Sequence, residues 1–192
     1  MDGMINHAIE SFLKSSYGNA FWNDTLCRAR VEPQGFLSMS GPKLGATSRV
    51  LNAAAISLGK PVHELLEDLG AWLVRVEPIR RLLRFGGRDF GDFVLSLEEL
   101  PGRARMILPD LALEELQVSQ DEMGDYVIGA KGMPRGWIWA IAGALRGMAD
   151  DYGTLALISV DGCTITLSIA LVEHAASRPF DLAPDHPPGQ AA

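Results

Sequence analysis

The chain has 192 residues, 47% of them apolar, enough for one well-buried core and therefore for a single globular domain. Its formal charge of −7 comes without a Lys/Arg run or basic patch, which argues against sequence-independent nucleic-acid binding; acidity on this scale serves solubility. The opening MDGMINHAIESFLK lacks the positive start, apolar block and cleavage site of a signal peptide, and no stretch is long and apolar enough to span a bilayer. Cys27 and Cys163 lie far apart without metal-ligand spacing. These features predict a cytoplasmic protein with reduced, buried thiols.

In chain order, Asp2 can cap a first helix in which Met4, Ile5, Ala8, Ile9 and Phe12 share a face, closed by Gly18. Asn19 to Val31 reads as a second short helix carrying Phe21, Trp22 and Leu26, followed by a loop through Pro33, Gly35, Gly41 and Pro42. A third helix is predicted from Ala46 to Leu58, ending at Gly59. Pro61 suits the first turn of the next, whose Val62, Leu65, Leu66, Leu69, Trp72, Leu73 and Val76 keep amphipathic spacing. Pro78 and Gly86-Gly87 bracket a short basic helix, Arg80 to Phe85, read as a solvated face.

The stretch Phe90 to Leu111 is the most informative. Phe90, Phe93, Val94, Leu97 and Leu100 recur at about 100° per residue and form one stripe. Position 101 falls on that stripe, one turn after Leu97, and should point into the domain. It is a proline, which offers no lone pair, no acid or base and no N–H. Because proline disfavours the helical conformation for the residue before it, the helix is expected to end or kink at Leu100.

Beyond Pro109 the pattern becomes extended. Leu111 to Ser119 and Tyr126 to Lys131 read as strands joined by Gln120 to Gly124. Trp137, Ile138, Ile141, Leu145 and Met148 mark a helix that ends before Gly153. Thr154 to Val160 and Cys163 to Leu171 flank Asp161-Gly162, a two-residue hairpin signal that would pair Val160 with Cys163, Ile158 with Ile165 and Ala156 with Leu167. The order of helices, hairpin, helix, hairpin implies an α+β domain with an antiparallel sheet. From Pro179 onward, DLAPDHPPGQAA is proline-rich and polar, and a disordered tail is expected over 174–192.

No Gly-rich phosphate loop, GxSxG or HExxH is present, and no nucleophile, base or metal constellation converges, so the chain does not read as an enzyme. The pairs Glu98-Glu99 and Glu114-Glu115 read as solvated faces, and Asp150-Asp151 as the end of a helix.

Several anchors occur in order: Met1-Asp2-Gly3-Met4-Ile5-Asn6, Tyr17-Gly18, Trp22, LGKPVHELLEDLGAWL (Leu58 to Leu73), LLRFGGRDFGDFVLSLEELPGRAR (Leu82 to Arg105) and LPDL (Leu108 to Leu111). Through them the sequence resembles the H-NOX family, the haem-containing nitric-oxide/oxygen-binding domains, over residues 1–173. The resemblance implies an H-NOX-like fold with an N-terminal helical part and a C-terminal sheet of two hairpins with one intervening helix, and haem b held between the two parts. It also implies a Leu-His-x-Arg pattern supplying the iron ligand; here that pattern reads Leu100-Pro101-Gly102-Arg103. The arginine is present and the imidazole is not, and proline cannot replace the nitrogen that ferrous haem needs.

The second signature implied is Tyr-x-Ser-x-Arg, which grips the haem propionates. It falls near Lys131-Gly132-Met133-Pro134-Arg135, where tyrosine and serine are missing and Arg135, with Lys131, retains positive charge. Pocket positions carried over by the resemblance are Ile5 and Pro109; periodicity adds Leu73, Phe90, Val94 and Leu97, with Pro101 and Arg135 completing the candidates. His7, His63, His174, His186, Cys163, Met106 and Tyr126 offer no compelling replacement ligand, and no metal site is predicted.

Two readings follow. In one, the chain is a sensory domain that binds haem and nitric oxide and signals to a separate effector; the resemblance implies a histidine kinase or a cyclic-dinucleotide signalling enzyme. In the other, it is a haem-free relative that uses the fold for protein contact or for another apolar ligand.

Overall fold

The computed structural model describes residues 2–33, 36, 45–107, 116–130 and 136–170. Helix α1 spans Asp2–Ala29 and is broken at Gly18, whose φ of 87° and ψ of 166° only glycine adopts readily, so the expected pair of helices meets at a kink. Helix α2 is Ala46–Leu58, stopped by Gly59 in the left-handed conformation, and α3 is Val62–Leu73, entered through Pro61. The basic helix, α4, runs over Glu77–Arg84: Pro78 lies within its first turn, where a missing N–H costs nothing, rather than ahead of it. Helix α5 (Phe90–Leu95), a 3-10 turn (Ser96–Glu99) and α6 (Leu100–Ile107) follow.

The sheet contains β1 (Leu116–Gln120), β2 (Tyr126–Ala130), β3 (Ala156–Asp161) and β4 (Thr164–Ile169) in the order β1-β2-β4-β3, all antiparallel, with α7 (Ile138–Asp151) between its two hairpins. This is the expected α+β arrangement. In the second hairpin, however, Asp161 pairs with Thr164, Val160 with Ile165 and Ile158 with Leu167, so the turn residues are Gly162 and Cys163. The register differs from the expected one by two residues. Because side chains alternate with period two, Ile158, Ile165 and Leu167 still face inward and are buried.

Two apolar cores result. The first gathers α1, α2 and α3 around Ile9, Phe12, Leu13, Trp22, Val50 and Leu65. The second lies between the sheet, α7 and the α5 region, around Phe93, Ile128, Leu145, Met148, Ile165 and Leu167. The first core encloses one polar tie: fully buried Asn6 donates to the Phe36 carbonyl at 2.9 Å and accepts from the Thr47 hydroxyl at 2.7 Å. Both cysteines are exposed, correcting the expectation of buried thiols: Cys27 points away from the core on α1, and Cys163 sits in the hairpin turn. Among the described residues no helix is long and apolar enough to cross a membrane. Pro109, Arg135 and the expected tail over 174–192 lie outside the described residues.

Helix α1 ends in a reversal in which Arg30 N–H bonds the Cys27 carbonyl and Val31 N–H the Leu26 carbonyl, both at 3.1 Å. Arg30 takes φ 52°, a left-handed position that glycine ordinarily fills. Arg30→Gly is therefore expected to stabilise the fold by up to about 1 kcal/mol. Chemical denaturation checks this, and a lower midpoint would mean that the arginine side chain itself holds the reversal.

Candidate functional site

The segment from Phe90 to Ile107 positions the residue to which the sequence drew attention. Asp89 caps α5 by accepting from Asp92 N–H at 2.9 Å, which fixes the entry of the chain. Phe90, Phe93, Val94 and Leu97 then enter the second core, where Phe90 and Phe93 meet Tyr152, the C-terminal cap of α7, at ring-centroid distances of 6.1 and 5.8 Å. Tyr152 donates to the Gly87 carbonyl at 3.0 Å; its burial raises the phenol pKa despite the Arg84 guanidinium 4.5 Å over the ring.

The helix does not stop at Pro101. It tightens over Ser96–Glu99 and restarts at Leu100, which has helical φ −54° and ψ −42°, contrary to the expectation for a residue before proline. The cause is a single missing donor. In a continuous helix the N–H of residue 101 would bond the Leu97 carbonyl; proline has none, and that carbonyl is taken instead by Leu100 N–H in 3-10 fashion. Pro101 thereby falls in the first turn of α6, where proline is tolerated, and its side chain is buried as the stripe predicted.

Arg103, the other retained member of the pattern, turns back on its own segment. Its guanidinium donates to the Ser96 carbonyl at 2.9 Å and to the Ser96 hydroxyl at 3.1 Å, bracing the 3-10 turn. Sequence spacing alone gives Arg103 no such role.

The described pocket candidates divide between the two cores. Ile5 and Leu73 are half-buried against the first, whereas Phe90, Val94 and Leu97 belong to the second. Between the cores runs the crossing of α3 and α7, and there the backbones touch. A Cβ on Gly70 would collide with the Ala140 carbonyl, one on Gly143 with the Glu67 carbonyl, and one on Gly147 with the Val74 side chain. The sequence signal for this seam was available in the small-residue spacing Ala140, Gly143, Ala144, Gly147 on one helix face, but periodicity of apolar residues does not single it out.

Other candidate ligands lie elsewhere. His7 is exposed with Nδ1 3.6 Å from Glu10, and exposed His63 packs on Trp139 at 4.7 Å. Tyr126 is half-buried; a Cβ on Gly91 would lie 2.8 Å from its hydroxyl. His174, His186, Lys131 and Arg135 are outside the described residues, as is the Met106 side chain. No group of three or more His, Cys, Asp or Glu among the described residues converges on a metal position. The basic run is exposed, as expected of a solvated face, and it is also paired: Arg80 and Arg84 both pair with Asp151 of α7, the latter at 3.2 Å, and Arg81 pairs with Glu77 at 2.8 Å. Position 101 lacks a ligand atom, and α3 and α7 meet through glycine backbone.

A family model described as Haem-NO-binding matches residues 2–160. Similar solved structures include an H-NOX protein from S. oneidensis in the Fe(II)NO ligation state, with 15% identity, TM-score 0.73 and coverage of 89% of this chain and 100% of that one. The Fe(II) unliganded H-NOX protein from K. algicida has 15% identity and TM-score 0.68, covering 88% and 95% of the two chains. A T. tengcongensis H-NOX point mutant has 14% identity and TM-score 0.66, covering 88% and 97%. No curated protein matches. At these identities the structural likeness shows the fold.

Gly143→Ala is expected to cost about 1–3 kcal/mol in equilibrium unfolding, because its methyl meets backbone that cannot repack. Gly102→Ala, whose Cβ meets nothing within 4 Å, should instead be neutral or stabilising by up to about 1 kcal/mol. Equal effects of the two substitutions would show that the seam is not tight.

Proposed function

The chain belongs to the H-NOX, or Haem-NO-binding, family, and from that premise we propose that it is a signalling domain that works without histidine-ligated haem, through protein contact with a separate effector. The observation that carries this reading is Pro101: a buried position on the inward stripe of the segment is filled by the one residue type that has neither a side-chain ligand atom nor a backbone donor. The glycine contacts between α3 and α7 support it, since they bring the two halves together directly.

The effector class, by family resemblance, is a histidine kinase or a cyclic-dinucleotide signalling enzyme. A contact role also has local support. Leu155 and Leu157 are 74% and 72% exposed at β3, an edge strand of the sheet, where apolar side chains gain nothing from the fold and are available to a partner.

Protein produced with haem available is expected to be colourless, with no Soret band before or after added haemin. A Soret band that shifts with nitric oxide would overturn the proposal in favour of a haem-based sensor. Pro101→His is expected to remain haem-free as well; haem uptake by that variant would show that only the ligand, and not the space, is missing. Binding to a kinase or cyclic-dinucleotide enzyme from the same genome should weaken at least about tenfold in Leu155→Asp/Leu157→Asp, a loss on the scale of burying two charges at a contact. Unchanged binding would remove β3 from the interface.

A further inference from the structure

Among the described residues β1 and β3 are the two edges of the sheet, and an edge strand offers main-chain groups to any extended segment that meets it. The direction of those groups on β3 follows from its pairing. Ala170 N–H bonds the Leu155 carbonyl at 2.9 Å, so Leu155, Leu157, Ser159 and Asp161 turn their main chain toward β4. Ala156, Ile158 and Val160 therefore turn theirs toward the open edge.

That edge is closed at its midpoint. One guanidinium nitrogen of Arg146, on α7, donates to the Ile158 carbonyl at 3.0 Å, and the other pairs with Glu67 of α3. Glu67 belongs to the helix crossing: its own carbonyl is the atom that a Cβ on Gly143 would strike. The guanidinium is thus held between the seam and the sheet. The opposite edge carries the same device with the charge reversed, since Glu98 accepts from Val118 N–H at 2.8 Å. Asp121 N–H bonds the Asp125 carbonyl, which places Val118 among the residues of β1 that turn away from β2.

The strand β3 contains none of the usual guards against pairing. Its residues, ALISVD, include no lysine and no proline, and its register against β4 is unbroken. Leu155 and Leu157 are exposed beside that edge. The strand is also complementary to itself. About a two-fold axis at Ile158, the outward groups of residues 156, 158 and 160 meet those of residues 160, 158 and 156 in a second copy, and the two Leu157 side chains lie diagonally across the axis. The Ile158 carbonyl stands at the centre of that pairing, and it is the group that Arg146 holds.

We propose that Arg146 is a plug that stops β3 from pairing with β3 of a second copy, and that its removal joins two chains through their sheets. The proposal concerns the main chain of β3 and stands apart from effector contact through the leucines.

The test is sedimentation velocity of the full chain. Arg146→Met, which keeps the apolar stem without the donor, should self-associate about a hundredfold more tightly than the wild type, in which each copy must first break a charge-assisted hydrogen bond. Hydrogen exchange at the amides of Ala156, Ile158 and Val160 should slow as the dimer forms. Adding Ala156→Pro should restore the monomer, because proline at an outward-facing N–H costs no bond to β4 but blocks pairing. Both leucines stay in place in that variant, so its result is distinct from any loss of effector binding. Arg146→Met/Glu67→Gln leaves no unpaired carboxylate and gives the same reading where the single variant does not fold. A monomeric Arg146→Met, a wild type that associates as tightly, or a dimer indifferent to Ala156→Pro would each overturn the proposal. Failure of both Arg146 variants to fold would overturn it too, making the arginine a structural tie.

Discussion

The crossing of α3 and α7 is the constraint on which the rest of the structure depends. Glycines at 70, 143 and 147 remove the side chains that would keep the helices apart, so the axes approach until carbonyls meet Cα atoms. At that separation dispersion contacts form along both backbones, and a methyl added at position 70 or 143 must displace main chain rather than a rotamer. Both cores are built outward from this seam: Ala140 of α7 closes the core of α1, α2 and α3, while Ile138, Leu145 and Met148 of the same helix close the core against the sheet.

The segment around Pro101 shows how one absent hydrogen-bond donor reshapes a helix without ending it. Loss of the N–H at position 101 frees the Leu97 carbonyl, the preceding turn tightens to recover it, and Arg103 reaches back to Ser96 to hold the tightened turn. The result keeps the inward stripe of Phe90, Phe93, Val94 and Leu97 buried, with Pro101 buried beside it. The stripe depends on burial of its side chains, which the missing donor at position 101 does not disturb.

Much of the fold was legible from local pattern. Helix α2 ends where Gly59 predicted, Gly18 breaks α1, and α7 and the four strands occupy the expected stretches because apolar periodicity and glycine punctuation act within a few residues. The departures share a cause in competition between local and longer-range terms. Asp161-Gly162 is a strong turn signal, yet pairing of Ile165 with both Val160 and Ile128 sets the register two residues further on. Pro78 and Pro101 were read as breaks, but first-turn positions of α4 and α6 absorb them. The basic run on α4 is exposed as read, but its pairing with Asp151 was not legible because that partner is distant in sequence.

By itself the sequence determined the family, the order of elements and the absence of a ligand atom at position 101, since each of these is a property of residue identity or of spacing along one element. Only the tertiary structure decided that Ile5 and Leu73 belong to a different core from Phe90, Val94 and Leu97, that three glycines bring the halves into backbone contact, and that Glu98 and Arg146 reach the two edge strands. Those are facts about which surfaces meet. Helical periodicity fixes the direction a side chain leaves its own axis, whereas the distance to the next axis is set by the side chains of both helices together.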